Sequence, residues 1–91
     1  MLIGTVAATF TIEKRGLVIE TDRMISELPR ELRLKVGDRV VFRIGDQEVL
    51  RTPIAGIEHF DPWSPQCPFC FLLPPNVTRD SAVLGAEVWT I

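Results

Sequence analysis

The sequence predicts an all-β fold, a small closed or nearly closed antiparallel β-barrel of about six or seven strands. Two observations predict it. Short segments rich in Val, Ile, Thr and Phe recur along the chain, and Gly, Pro, Asn or Asp separates each from the next. The chain has 91 residues, enough for one domain over residues 1–91 and too few for two. Closure of the sheet would protect strand edges that so small a domain cannot otherwise cover.

The strand segments follow one another between clear turns. Lys14-Arg15-Gly16 and Gly45-Asp46 are each expected to close a hairpin. Between the hairpins, Pro29 suits the first turn of a short helix, so one short helix or turn is expected near residues 28–33. Residues 69–73 are apolar throughout, which is typical of a central strand. The expected strands are residues 4–12, 17–21, 39–44, 48–51, 54–60, 69–73 and 87–91.

The charge of the chain is unevenly distributed. The net charge is −2, so the molecule as a whole does not attract nucleic acid. Between Arg23 and Arg43, however, six basic residues accompany three acidic ones. A mixed solvated surface is the interpretation we favour, and a basic patch for RNA or an acidic protein is the alternative. The binding residues expected in such a patch are Arg30, Arg33, Lys35 and Arg39.

No segment suggests a membrane or an export route. The first residues lack the basic region of a signal peptide, and no apolar run approaches the ~20 residues that span a bilayer. We therefore expect a cytoplasmic protein with no membrane partner, in which both cysteines are reduced.

Cys67 and Cys70 form a Cys-x-x-Cys pair. In thioredoxin-like enzymes such a pair precedes a helix, whereas apolar strand sequence follows it here, so redox catalysis is not expected. Tetrahedral zinc needs four ligands, and His59 and Asp61 lie near enough in the sequence to complete a set with the two cysteines. A small metal-binding protein is therefore one alternative function, with these four residues as weak candidates. The competing interpretation, which we favour, packs both cysteines as small apolar residues.

The other side chains with chemical or binding potential are His59 and the two tryptophans. No serine or carboxylate accompanies His59 in a recognised catalytic arrangement, so neither an enzyme nor a cofactor is expected. Trp63 lies between prolines in the loop formed by residues 61–67. We favour a plug at one end of the barrel for Trp63, and the alternative is an exposed anchor for a partner. Trp89 lies in the last strand and is expected in the core.

Several short motifs follow one another in a definite order. They are Gly4-Thr5-Val6, Arg15-Gly16, Lys35-Val36-Gly37-Asp38-Arg39-Val40, Gly56-Ile57-Glu58-His59-Phe60, Phe71-Leu72-Leu73, Val77-Thr78-Arg79-Asp80 and Leu84-Gly85-Ala86-Glu87-Val88. In this order the chain resembles the second, β-barrel domain of elongation-factor-Tu-type translation GTPases over nearly its whole length. It departs from that domain by the interposed residues 17–33.

This resemblance implies a stand-alone barrel, without the GTPase domain, that works as a non-catalytic binding module for protein or RNA. The chain has no Gly-x-x-x-x-Gly-Lys-Ser/Thr run to cradle phosphates, so no nucleotide is expected as a ligand.

A second resemblance is local. Leu28-Pro29-Arg30-Glu31-Leu32-Arg33, followed by Val36-Gly37-Asp38-Arg39-Val40, is similar to the core of swapped-hairpin transition-state regulators and antitoxins. It implies a dimeric DNA-binding transcriptional regulator or antitoxin as the alternative function. We rank this alternative second, because the chain continues well beyond these residues in the stretch that resembles the translation-factor domain.

Overall fold

The fold is described from a computed structural model, which covers residues 1–60 and 62–91. Seven strands form a single antiparallel sheet with the spatial order β4-β3-β7-β1-β2-β6-β5. The strands are β1 (Leu2–Ile12), β2 (Gly16–Met24), β3 (Arg39–Ile44), β4 (Gln47–Pro53), β5 (Gly56–Ile57), β6 (Pro68–Leu73) and β7 (Glu87–Thr90), with one turn of 3-10 helix at Ile25–Glu27. The predicted all-β class and strand number are therefore confirmed. Over the two described ranges, the chain forms no helix of the length and apolarity needed to cross a membrane.

The long strand β1 changes its partner along its length. Its first part, from Leu2 to Thr5, pairs with β7, and its second part, from Val6 to Ile12, pairs with β2. The register shifts in both ladders, which bends the strand and increases its twist. β1 therefore joins two groups of strands, β4-β3-β7 on one side and β2-β6-β5 on the other.

The turn between β1 and β2 depends on Gly16. Its φ is +131°, a conformation that other residues rarely adopt. A Cβ at this position would lie 2.3 Å from the main-chain oxygen of Leu73. The absent side chain thus lets the start of β2 pass against the end of β6, where Leu17 pairs with Leu73.

The core lies between the inward faces of the two groups of strands. Phe71 of β6 is at its centre, with ring centroids 6.3 Å from Phe42 of β3 and 5.8 Å from Phe69. Both Phe42 and Phe71 are completely buried. The other buried members of this cluster are Ile3, Val6, Leu17, Ile19, Val40, Ile54, Leu73, Ala82, Ala86 and Val88.

The strand β6 is apolar throughout because both of its faces are covered. Phe69, Phe71 and Leu73 point into the main core. Cys70 and Leu72 alternate with them and belong to a second, smaller cluster on the outward face of the sheet. The prediction of an interior strand here is confirmed, since β6 lies between β2 and β5.

The helical turn lies earlier than residues 28–33. It spans Ile25–Glu27, and Leu28 after it is already extended at φ −70° and ψ 141°. The physical reason is Pro29, whose ring disfavours helical geometry in the residue before it. After Pro29 the chain makes a turn in which the amide of Leu32 donates to the carbonyl of Pro29 at 3.1 Å, so the predicted turn is present and the predicted helix is not.

Two further predictions need correction. The strand expected at residues 54–60 is reduced to Gly56–Ile57, because the next hydrogen-bonded pair in this register would join Phe60 to Pro68, which has no amide hydrogen. Trp89 is half-buried and lies outside the core, since its neighbour Val88 takes the inward position on β7. Alternation along the strand then turns the indole to the outward face.

The two edges of the sheet are β4 and β5, which follow each other directly in the chain. Between them, the amide of Ile54 donates to the carbonyl of Asp38 at 2.8 Å, and the amide of Ala55 donates to the carbonyl of Leu72 at 2.7 Å. The main chain thus passes from the β3 side to the β6 side within two residues. β4 and β5 do not pair with each other, so closure of the sheet into a barrel stays a prediction.

Candidate functional site

The four predicted basic residues are brought together only in part. Arg33 and Arg39 line one groove of about 480 Å³. Arg30 and Lys35 are exposed but do not line it. The guanidinium of Arg33 donates to the carbonyl of Arg30, and the amide of Lys35 donates to the carboxylate of Asp38 at 3.1 Å. The segment is therefore organised by local hydrogen bonds more than by a shared basic surface.

The groove that contains Arg33 and Arg39 also contains acidic side chains. Glu31 and Asp38 are part of its lining, so positive and negative groups alternate along it. A phosphate-binding surface gains its affinity from clustered Lys and Arg, and opposite charges in the same groove reduce that gain. This groove is consistent with the mixed surface that we favour from the sequence.

The indole of Trp63 is exposed over 60% of its area and does not plug the core. The loop that carries it is nevertheless tied to the 3-10 helix. The amide of Ile25 donates to the carbonyl of Cys67 at 2.9 Å, and the amide of Ser26 donates to the carbonyl of Pro65 at 3.2 Å. Proline at 62 and 65 restricts the main chain on both sides of the indole. Trp63 is therefore a large aromatic side chain that the fold holds in solvent.

A groove of about 280 Å³, which we call the Trp63 groove, lies next to this indole. Its wall includes Glu58, His59 and Trp63. Its apolar lining comes from the 3-10 helix, the segment after it and strands β5 and β6: Ile25, Leu28, Leu32, Leu34, Ile57 and Phe69. An apolar groove beside an exposed tryptophan is the arrangement in which binding hot spots are usually found.

A second groove of about 220 Å³ lies on the outward face of β1, β2 and β6, and we call it the outer-face groove. Phe10, exposed over 51% of its area, and Phe60 contribute two more aromatic rings. The other lining residues are Ile12, Val18, Glu20, Glu58, His59 and Cys70. Outward faces of antiparallel sheets are usually polar, so an apolar groove here requires an explanation.

The Trp63 groove and the outer-face groove are neighbours. Glu58 and His59 line both of them, so the two grooves lie on either side of this pair of residues. Together they form what we call the aromatic surface, which carries the exposed rings of Phe10, Phe60 and Trp63. Contiguous exposed apolar area of this kind marks interaction sites on soluble domains.

The potential metal ligands do not form a cluster within the described residues. Among residues 1–60 and 62–91, no three side chains of the types His, Cys, Asp and Glu converge in a way that could hold an ion. His59 is exposed, Cys67 is half-buried, and Cys70 is buried on the outward face of β6. Asp61 lies outside the described residues.

The Cys70 thiol is held in its protonated form. Burial, and after it the negative charges of Glu20 and Glu58, raises the pKa of this thiol to about 11. A thiolate is the nucleophilic and metal-binding form of cysteine, so Cys70 behaves as a small apolar residue at neutral pH.

The outer-face groove is the part of the site that sequence reasoning missed. Its floor is formed by Val18, Cys70 and Leu72. A sign of it was present in the sequence, because Val18 stands between the apolar residues Leu17 and Ile19. Consecutive apolar residues in a strand mean that both faces are covered, and on the outward face the cover must come from something other than the core.

Comparison with protein-family models, with curated proteins and with solved structures gives no match for this chain. The resemblance to the translation-factor barrel domain, and the one to swapped-hairpin regulators, therefore stay predictions from the sequence motifs.

Proposed function

We propose that this chain is a non-catalytic binding module that docks a protein partner through the aromatic surface, with Trp63 as the anchor. The observation that carries the proposal is the position of Trp63, exposed over 60% of its area beside an apolar groove. Tryptophan is enriched among the residues that dominate binding energy, and a side chain that is held in place before binding loses little entropy on docking.

The magnitude supports an anchoring role. Covering the exposed part of Trp63 would remove roughly 150 Å² of surface from water, which corresponds to about 3–4 kcal/mol before the costs of association. This is comparable to the contribution of a strong hot spot at a protein interface. The exposed rings of Phe10 and Phe60 extend the apolar area beyond this single side chain.

A protein partner fits the charges better than RNA does. The aromatic surface includes the carboxylates Glu20 and Glu58 but no Lys or Arg side chain among its lining residues. Stacking of bases on exposed aromatic rings usually occurs beside basic groups that contact the phosphates. The basic residues Arg33 and Arg39 line a different groove, together with Glu31 and Asp38.

We further propose that the sheet closes into a barrel, which would give the aromatic surface a rigid support. The support for closure is the direct passage of the chain through Ile54 and Ala55, whose amides bond to the two opposite ends of the sheet. If the barrel closes, these two amides exchange with deuterium as slowly as those of the central strands. Fast exchange at both would contradict closure.

The proposed function is tested by photo-crosslinking from the anchor position. A photoreactive phenylalanine analogue replaces Trp63 in one protein and Leu84 in a control protein. Leu84 is a suitable control because it is also exposed, over 63% of its area, and lines neither groove. Both proteins are irradiated in a nuclease-treated lysate of the source organism, and the adducts are identified by mass spectrometry.

We expect one predominant protein adduct from position 63 that position 84 does not give. In a second experiment, Trp63→Ala should weaken the affinity for that protein by about 2–4 kcal/mol, and Leu84→Ala by less than about 0.5 kcal/mol. Equal crosslinking from both positions, or adducts to nucleic acid in lysate without nuclease in place of a protein adduct, would overturn the proposal.

A further inference from the structure

The register of the outward face arranges its side chains in two parallel rows across the strands. One row follows the pairing of Phe10 with Val18, Val18 with Leu72, and Leu72 with Gly56. This apolar row covers β1, β2, β6 and β5 in turn. Adjacent strands are about 4.8 Å apart, so the row is a continuous strip roughly 15 Å long.

Gly56 leaves a recess at the end of the apolar row. A Cβ at this position would be in ordinary contact with Leu72, at 3.5 Å from its Cβ, so the space is open as the chain stands. The recess lies between Leu72 and solvent and can accept part of a side chain from a partner.

The second row carries the charges. Glu20 pairs with Cys70 across β2 and β6, and the amide of Glu58 donates to the carbonyl of Cys70 at 3.1 Å. All three side chains lie on the outward face, because Ile19, Ile57 and Phe71 next to them point to the core. Two carboxylates therefore flank the apolar Cys70, with main chains roughly 10 Å apart.

These carboxylates are only partly compensated. Within the described ranges, Glu20 makes no ion pair and no side-chain hydrogen bond, and Glu58 contacts only the exposed guanidinium of Arg15 at 3.4 Å. Negative charge beside an apolar strip attracts a cation with an apolar neighbour and repels phosphate groups. The charges thus favour a basic peptide segment over a nucleic acid or an anionic membrane.

We propose that the outer-face groove binds an extended segment of a partner protein in which a Lys or Arg side chain stands next to an aliphatic or aromatic one. The basic side chain lies over Cys70 between Glu20 and Glu58, and its apolar neighbour lies on the strip of Val18 and Leu72. This inference rests on the proposed function and specifies the chemistry of its partner. Because Glu58 and His59 line both grooves, the same segment continues to Trp63.

The test uses a displayed library of random dodecapeptides, selected against the whole chain at low salt. Three variants are selected in parallel: Trp63→Ala, the double variant Glu20→Gln/Glu58→Gln, and the control Asp46→Asn/Asp80→Asn. The control removes the same two charges from exposed turns outside both grooves. Circular dichroism melts establish that each variant is folded before selection.

We expect enriched peptides in which Lys or Arg adjoins an apolar residue. The preference for Lys and Arg should disappear in Glu20→Gln/Glu58→Gln and persist in Asp46→Asn/Asp80→Asn. For one enriched peptide, the affinity should fall roughly 3- to 10-fold in the Gln double variant, and 150 mM salt should weaken binding to the unmodified chain.

The possible failures are distinguishable. Enrichment that depends on Trp63 but shows no basic preference, or the same preference in the Gln double variant, overturns this inference and leaves the proposed function standing. Enrichment of peptides that match strands of this chain, with dimerisation in sedimentation, identifies a second copy as the occupant and also overturns it. No enrichment over the Trp63→Ala variant overturns both proposals.

Discussion

The hydroxyl of Thr21 donates a hydrogen bond of 2.8 Å to the main-chain carbonyl of Phe69 inside the core. The ladder between β2 and β6 pairs Glu20 with Cys70 and resumes only at Met24 with Pro68. Thr21, which is 1% exposed, therefore satisfies a carbonyl at the irregularity where the main chain of β2 leaves the ladder. A side chain here replaces a missing main-chain bond.

Replacing this hydroxyl should lower stability. Thr21→Val keeps the shape but leaves the carbonyl of Phe69 without its donor, so we expect the free energy of unfolding to fall by about 1–3 kcal/mol. Thr21→Ser keeps the donor and should lose less, since only a methyl group is removed. Urea denaturation of both variants measures the difference, and a more stable Val variant would show that the hydroxyl contributes nothing.

Asp22 makes a hydrogen bond that should affect stability at acid pH. Its carboxylate accepts from the amide of Thr5 at 2.8 Å, and this bond is the main cause that lowers the pKa of Asp22 below its usual value. A lowered pKa in the folded state stabilises the fold above the ordinary aspartate pKa of about 3.9. That stabilisation is lost as the pH falls through the folded value.

We expect Asp22→Asn to lower the free energy of unfolding at pH 6 by less than about 1 kcal/mol, because the group is exposed and water screens it. The difference from the unmodified chain should shrink as the pH falls below 4 and vanish near pH 2. Melts at a series of pH values test this, with Asp46→Asn in the exposed turn as the control. A difference that stays constant down to pH 2 would contradict a role for the charge.

Gly16 should tolerate no side chain. Gly16→Ala would place a Cβ 2.3 Å from the carbonyl oxygen of Leu73, and its φ of +131° is unfavourable for alanine. We expect a loss of about 2–4 kcal/mol of stability. Gly45→Ala is the matched control, because Gly45 also has a positive φ, of +60°, but nothing lies within 4 Å of its Cβ position. Its loss should be about 1 kcal/mol, and equal losses would mean that the contact with Leu73 can relax.

The Cys70 thiol should be unreactive at neutral pH. Since its pKa is raised to about 11, its thiolate fraction at pH 8 is small, and we expect it to react with a disulfide reagent at least tenfold more slowly than a free cysteine of ordinary pKa near 8.5. The Cys67→Ser variant isolates this thiol for the measurement. A rate equal to that of N-acetylcysteine would show that the outward face opens readily.

The sequence predicted those elements whose causes are local. Glycines at 16 and 45 end in tight turns, and the apolar segment 69–73 forms β6, because turn geometry and strand alternation act over a few residues. The helix was misplaced because the restriction that Pro29 imposes on Leu28 outweighed the preference of proline for a first helical turn.

The position of each strand beside the others could not be read from the sequence. That Glu20, Cys70 and Glu58 form one row follows from the register of three strands that are distant in the chain. The exposure of Trp63 likewise depends on how its loop is bonded to Ile25 and Ser26, which no local pattern specifies. The candidate site was therefore predicted only at Trp63, and its larger part emerged from the fold.

The central place of β7 has a consequence for the order of assembly. This four-residue strand follows all the others in the chain, yet it lies between β3 and β1 and carries the pairing of both. During synthesis, the hairpin of β3 and β4 and the group of β1, β2, β6 and β5 can each form early, but on the β7 side both wait with an unsatisfied edge. A nascent chain that stalls before Glu87 would present two sticky edges to its neighbours, which is where a chaperone would be needed most.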